Sequence, residues 1–553
     1  MATLQREAPL SGGMRLPASE KGLAALALAL IGRPCGLSPG EQALKCASPA
    51  RIDADTVRIL RDSILAGGDP LGEVFAVLRS ATDRRALGAV YTPAPVIAAM
   101  LAWAEGEGAP ARVVDPGAGS GRFLVAAAKR FPNAKLVAIE IDPLAALLLR
   151  ANVSVLGLSE RTEVRVDDYR ATPELPWIAG RTLFIGNPPY VRHHDIPAAW
   201  KSWFSATAAR RSIRASKLAG LHIHFFFRTL ELARKGDFGA FITSAEWLDV
   251  NYGSSLRELL ADGLGGSALH VIDPKAMPFA DAATTGAITC FRVGRRPKAL
   301  TVRAVPSLGH LESLSDGISV PWKEVEKARR WSVIVRPTSK PPAGYIELGE
   351  LFRVSRGQVT GKNDIWIAGE RAAGLPPDVL VPTVTKAREL LSAGPMLSVA
   401  EHLRRVVNLP VDLEEIDAAY RRAVERFLKW AKSAGAADGY VARHRRAWWS
   451  VLLYDPAPVI CTYMARRPPA FVRNLCDARH LNIAHGLYPR ESIAECALSR
   501  LLDYLRNNVS TSSGRTYAGG LTKFEPRELE RLPIPALEML CHETTTRLDT
   551  SRA

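Results

Sequence analysis

Apolar positions recur at helical spacing from about residue 21 to 86, with Leu60 and Ile64, then Val74, Phe75 and Leu78, each set marking one face. Past residue 110 the rhythm changes. Arg112-Val113-Val114-Asp115 is a short apolar run that stops in a glycine-rich turn, and a helical pattern follows from Phe123 to Arg130. The pairing then repeats. Lys135–Glu140 reads as a strand, Pro143–Leu156 as a helix, and Thr162–Asp167 and Thr182–Gly186 as further strands. A phenylalanine-rich helix over 223–234 leads to two more strand-like runs, Phe238–Thr243 and Gly286–Phe291. Alternation of this kind predicts an α/β fold on a doubly wound, mostly parallel sheet. It stops near residue 300. Beyond about 340, proline-punctuated segments of mixed pattern predict a separate α+β domain. The expected organisation is an N-terminal helical segment at 1–86, a sheet domain at 87–300, a connector at 301–342 and a mixed domain at 343–540.

A chain of 553 residues exceeds one core, and two or three domains fit its length. With 47% hydrophobic and 23% charged residues it has the composition of a soluble globular protein. The net charge of +16 favours an anionic partner, and its placement sharpens this. Between Ile196 and Leu230 stand Lys201, Arg210, Arg211, Arg214, Lys217 and Arg228, with no Asp or Glu. Further on, Arg443-His444-Arg445-Arg446 precedes Trp448-Trp449, and Arg466-Arg467 precedes Phe471 and Arg473. Basic residues interleaved with aromatics suit phosphates and bases. Seven scattered cysteines without CxxC pairs imply reduced thiols in a cytoplasmic protein and no metal site. The apolar run Leu23–Ile31 is too short to span a bilayer, so no membrane partner is expected.

Two segments carry the chemistry. Asp115-Pro116-Gly117-Ala118-Gly119-Ser120-Gly121 joins a strand to a helix, where glycines let backbone N–H groups approach a ligand. Glu140 ends the next strand, where an acid can bind both hydroxyls of a ribose. Asp167-Asp168-Tyr169 ends the third strand. By themselves these residues fit a nicotinamide cofactor or S-adenosylmethionine equally. Asn187-Pro188-Pro189-Tyr190 follows the fourth strand. The Asn187 amide offers a carbonyl oxygen, Pro188 has a carbonyl and no N–H, Pro189 stiffens the turn, and Tyr190 adds an aromatic face. Two acceptors beside a stacking surface suit a planar substrate bearing an –NH2 group.

The ordered set Gly88-Ala89-Val90-Tyr91-Thr92-Pro93, Asp115–Gly121, Glu140-Ile141-Asp142-Pro143 and Asn187-Pro188-Pro189-Tyr190 resembles the gamma-type adenine-N6 DNA methyltransferases of bacterial restriction–modification systems. The likeness is firm over 88–293. It runs more loosely through Arg356–Asn363 to Tyr517–Pro526, which resemble stretches of the family's recognition regions. It implies a Rossmann-like methyltransferase sheet followed by a C-terminal target recognition domain. It further implies S-adenosyl-L-methionine as cofactor, bordered by Tyr91 and Thr92, with Asp115, Gly117, Gly119 and Gly121 along its length. Glu140 would hold the ribose and Asp168 the adenine. Asn187 and Pro188 would accept hydrogen bonds from the target amine, Pro189 would shape the turn, and Tyr190 would stack on a flipped adenine. Pro278–Thr285 resembles the motif whose Phe packs on the base, which makes Phe279 a second stacking candidate; a core role fits it as well. Lys201, Arg210, Arg211, Arg214, Lys217, Arg443, Arg445 and Arg446 would bind DNA. The expected protein is a monomer acting on double-stranded DNA, beside a separately encoded cognate restriction endonuclease. The same tetrapeptide also fits methylation of a glutamine side chain or of guanine N2 in RNA, and a silent DNA-binding protein could keep the scaffold. Those enzymes are compact, however, and do not need some 200 arginine-rich residues after the catalytic domain.

Overall fold

The computed structural model describes residues 17, 19–48, 52–79, 92–273, 276, 285–311, 313–328, 330–335, 342–465, 467–517 and 521–542. The chain divides into two compact units, Met1–Thr338 and Ser339–Ala553.

Among the described residues four helices open the first unit: α1 (Glu20–Ile31), α2 (Pro39–Ala47), α3 (Ala54–Leu65) and α4 (Pro70–Leu78). Each starts on a side-chain cap (Ser19, Ser38, Asp53, Asp69) that satisfies an N–H left over in the first turn. After α5 (Ala94–Gly106) the alternation begins: β1 (Arg112–Pro116), α6 (Arg122–Arg130), β2 (Lys135–Glu140), α7 (Pro143–Val155), β3 (Thr162–Val166) and β4 (Thr182–Gly186). Next come α8 (Ala198–Ala209), α9 (Leu221–Leu232), β5 (Phe238–Ser244), α10 (Ser254–Ala261), β6 (Gly266–Ile272) and β7 (Gly286–Arg292).

The strands form one sheet in the order β3-β2-β1-β4-β5-β7-β6, continued by β8 (Ala299–Val305) and β9 (Ile318–Pro321). Strands β1 to β5 are mutually parallel, and β7 runs antiparallel between β5 and β6. Successive residues of the central strands face opposite cores, as a two-residue period requires. Leu183 and Ile185 pack with α5 and α6, whereas Phe184 packs with α8, α9 and α10. The doubly wound, mostly parallel α/β architecture is thus realised.

Two boundaries differ from the sequence reading. The described residues between 301 and 335 are not a connector: β8 pairs with β6, β9 pairs with β8, and Trp322, Val325, Trp331 and Val335 are buried in the first unit. The pattern hid this because the outer strands are covered poorly, with β9 mostly exposed and no run of buried positions to read. The N-terminal helices are also no appendage. Helix α7 is buried on two sides, with Leu149 and Val153 toward the sheet and Leu144, Leu147, Leu148, Ala151 and Val155 toward α1, α3 and α4. A helix apolar around most of its circumference needs such a second layer.

The second unit is mixed α+β. Its main sheet has five strands in the order Phe352–Arg356, Ala484–Pro489, Val459–Thr462, Phe471–Asn474 and Met396–Leu397. The helix Glu495–Asn508 covers it through Leu498, Leu501, Leu502 and Leu505. Among the described residues no helix is long and apolar enough to cross a membrane.

Candidate active site

Strand order reverses between β1 and β4, since the chain winds outward to β3 on one side and to β5 on the other. Loops leaving the carboxyl ends of such strands part and leave a crevice. The glycine-rich loop leaves β1 there and Asn187-Pro188-Pro189-Tyr190 leaves β4 there. A cavity of about 250 Å³ lies at this point, lined by Thr92, Gly117, Gly119, Glu140, Asp168, Asn187 and Pro189 among others.

Glycine is required at several positions of this crevice. Gly117, Gly119 and Gly121 have φ of 76°, 56° and 93°, which side-chain-bearing residues rarely adopt. A Cβ on Gly117 would lie 3.5 Å from the Pro189 ring, filling the space between the two loops. A Cβ on Gly186 would fall 2.6 Å from Asp115 Oδ1. Space excludes a side chain at Gly186, whereas the positive φ does so at Gly117, Gly119 and Gly121.

Glu140 organises the floor. Its Oε2 accepts the Gly119 N–H at 2.7 Å and its Oε1 accepts the Asp142 N–H at 2.9 Å. Burial raises its pKa above the usual carboxylate range, while those two N–H groups oppose the shift. Each oxygen keeps a further lone pair. Asp115 is buried beneath the loop and does not line the cavity, and neither of its oxygens has a partner in hydrogen-bonding geometry. Burial and then the Glu140 charge push its carboxyl well above the ordinary range, with only the Leu124 N–H favouring the charged form. Asp168 lines the cavity, but both of its oxygens hold the Arg170 guanidinium, at 2.9 and 2.6 Å. That guanidinium in turn lies 4.1 Å over the Trp200 ring.

The Asn187 amide is oriented by Thr92, whose Oγ1 accepts from Asn187 Nδ2 at 3.0 Å. Because the amide is planar, this turns Oδ1 to the opposite side. Thr92 thus meets the Asn187-Pro188-Pro189-Tyr190 loop as well as lining the cavity. Tyr190 is half-buried against the apolar cluster of α5 and α6, and burial pushes its pKa well above the usual tyrosine range. Neither Pro188 nor Tyr190 lines the cavity, and Gly121 instead caps α6 beneath Leu149. Tyr91 and Phe279 lie outside the described residues. The sequence reading missed Phe75, Tyr169, Arg170, Val191 and Phe225, which supply much of the wall. Of these, Phe75 comes from α4, where only its helical periodicity was visible.

The basic residues separate into exposed and engaged ones. Arg211, Arg214 and Lys217 are exposed on the loop between α8 and α9, without an acidic partner among the described residues, and Lys201 is half-buried on α8. Arg210 is instead paired with Glu231, which α9 turns toward it. In the second unit Arg443 and Arg446 are exposed. Arg445 is largely withdrawn: it donates to the Val359 carbonyl at 2.6 Å, and burial lowers its pKa. The two distant segments likened to recognition regions meet, since Arg356 and Lys523 both pair with Glu525 and both lie against the Tyr463 ring.

A glycine loop held at positive φ beside a Glu140 with lone pairs to spare fits a cofactor carrying a ribose. Comparison with known proteins bears on which one. The family pattern "N-6 DNA Methylase" matches residues 68–215, "Eco57I restriction-modification methylase" 161–272, and "Type II methyltransferase M.Eco57I, C-terminal domain" 339–552. The chain is similar to the type II methyltransferase M.XamI of Xanthomonas campestris pv. amaranthicola, 55% identical over 531 residues that cover 94% of this chain and 99% of that one. M.AccI of Acinetobacter calcoaceticus is 21% identical over 490 residues, covering 85% and 89%. Among solved structures, the type IIG restriction endonuclease BpuSI aligns with a TM-score of 0.47 at 15% identity, covering 96% of this chain and 71% of that one. With most of its cavity lining inside the matched N-6 methylase region and nearly its whole length shared with M.XamI, the chain belongs to the type II DNA methyltransferases of restriction–modification systems.

Proposed function

We propose that this chain methylates the N6 amine of an adenine in double-stranded DNA, using S-adenosyl-L-methionine, and so protects its sites from a separately encoded cognate endonuclease. The observation that carries the reading is the Thr92-oriented Asn187 amide at the mouth of a glycine-lined cavity. The bound cofactor supplies an electrophilic methyl on a sulfonium sulfur. Glu140 would hold the ribose hydroxyls on its remaining lone pairs, and the glycine loop would pass along the cofactor's length. Asp168, fixed by Arg170, would face its adenine.

An exocyclic amine is a poor nucleophile because its lone pair is spread into the ring. Asn187 Oδ1 and the Pro188 carbonyl would accept its two N–H groups out of the ring plane, which localises the lone pair on nitrogen and aims it. Positioning and electrostatics do this without a covalent enzyme intermediate. A base within a duplex must first leave the stack, at a cost of a few kcal/mol. Stacking on Tyr190, with Phe279 as a second candidate, would offset ~1–3 kcal/mol per base. Lys201, Arg211, Arg214 and Lys217 beside the catalytic loop, with Arg443 and Arg446 in the second unit, would grip phosphates.

The test is labelled S-adenosylmethionine offered with DNA, total RNA or release factor, followed by mapping of the modified base. Label in N6-methyladenine of DNA is the expected outcome, and label in RNA or protein alone would overturn it. Asn187→Ala is expected to lower transfer roughly 100-fold or more while cofactor binding persists.

A further inference from the structure

Helix α4 is fastened at both ends to the two loops that form the cavity floor. At its N-terminus Asp69 caps the helix through Oδ1, which accepts from the Gly72 N–H at 3.0 Å. The same carboxylate reaches across to the glycine-rich loop, 51 residues away in sequence. Its Oδ2 accepts from Ser120 Oγ at 2.6 Å and from Arg122 Nε at 2.7 Å. Asn152 on α7 completes the clasp, since its Nδ2 donates to Asp69 Oδ1 at 3.2 Å and to the Ser120 carbonyl at 2.9 Å. Ser120 and Asn152 are both buried, at 1% and 4% exposure, and the Asp69 carboxylate is partly buried between them. Just past the far end of α4, Arg79 pairs with Asp142 and with Glu20. Asp142 is two residues from Glu140, to which its own N–H donates. Between the two anchors, Phe75 lines the cavity.

Gly72 shows how close this contact is. A Cβ there would fall 2.1 Å from Asp69 Oδ2 and 2.7 Å from Ser120 Oγ. Mid-turn glycine costs a helix roughly 1 kcal/mol relative to alanine, so its presence has to be explained by what it makes room for. It makes room for the carboxylate between helix and loop.

We propose that Asp69 is a positioning residue for the cofactor: through Ser120 it holds the glycine-rich loop at the height where Gly119 meets Glu140, so that helix α4 is a structural strut of the cofactor site. Asp69 does not line the cavity, and its effect passes through the loop. The inference rests on the cofactor reading above.

The experiment uses the full chain and measures the Kd for S-adenosylmethionine by calorimetry, KM and kcat for transfer to DNA, DNA affinity and melting temperature. Asp69→Ala is expected to raise the cofactor Kd and KM about tenfold or more, as loss of charge-assisted bonds to a buried loop would. Its kcat at saturating cofactor and its DNA affinity stay within about twofold. Gly72→Ala tests the same contact from the helix side: its methyl displaces the Asp69 carboxylate and is expected to weaken cofactor binding, while the roughly 1 kcal/mol that alanine adds to a helix offsets part of the stability lost. Ser120→Ala weakens binding by itself and adds little in the Asp69→Ala background, as residues of one network do. Should Asp69→Ala fail to fold, the Gly72 and Ser120 variants carry the test. Unchanged cofactor affinity in all variants that fold, or a fall in kcat and active fraction at unchanged KM, would overturn the proposal. Failure of the unaltered protein to bind S-adenosylmethionine would instead remove the cofactor reading.

Discussion

Replacing Thr92 by valine removes one hydroxyl and little shape, yet it takes away the acceptor that orients Asn187. In the native arrangement Asn187 Nδ2 donates to Thr92 Oγ1 at 3.0 Å in a buried position. An amide has two faces related by a half-turn, and only one directs Oδ1 where the target amine would be held. A hydrogen bond of this kind contributes about 0.5–1.5 kcal/mol net, which corresponds to a two- to twelvefold bias between the two orientations. Without that bias the correctly oriented fraction falls from about 70–90% to about half, so loss of the bond lowers kcat by up to about twofold. The KM for cofactor moves less, since Thr92 contributes only one edge of that cavity. Thr92→Ser keeps the hydroxyl and is expected to retain most of the rate. The assay is steady-state methyl transfer to DNA with both substrates saturating, run beside Asn187→Ala. A Thr92→Val enzyme at full kcat, or a Thr92→Ser enzyme as impaired as Thr92→Val, would refute the orienting role.

Asp115→Asn is expected to raise the melting temperature of the cofactor-free protein above neutral pH. Asp115 has a folded pKa well above the ordinary 3.8, so its ionised form costs stability above that folded pKa. The cost disappears below the unfolded value, and the advantage of the variant must shrink as the pH is lowered; a pH-independent gain would point to packing instead. Arg443→Ala with Arg446→Ala is expected to flatten the salt dependence of DNA binding by about 1.8 in log–log slope, one phosphate contact for each exposed arginine. Arg445→Ala is expected to leave that slope alone and to lower the unfolding temperature of the second unit, because Arg445 holds the Val359 carbonyl.

The central sheet could be read from the chain because its strands are buried on both faces and alternate with strongly periodic helices. The loops at Gly117 and Asn187 could be read because their residue types are demanded locally, by positive φ in one case and by carbonyl acceptors in the other. What escaped reading depends on pairs distant in sequence. Asp69 before Pro70 looks like an ordinary helix cap, and nothing local announces Ser120 as its partner. Arg210 and Arg445 belong to basic clusters, and only the fold turns Glu231 and Val359 toward them. Strands β8 and β9 were passed over because these outer strands are less buried than the central ones and carry less apolar signal.

Helix α7 limits how this enzyme can be recombined. A chimera joined at residue 87, where the motifs begin, would keep the motif residues, lose Asp69 and Phe75, and uncover Leu144, Leu147, Leu148, Ala151 and Val155. A contiguous leucine face of that kind drives self-association. Specificity engineering that grafts a new C-terminal unit onto this methylase therefore has to carry helices α1, α3 and α4 along with the motifs.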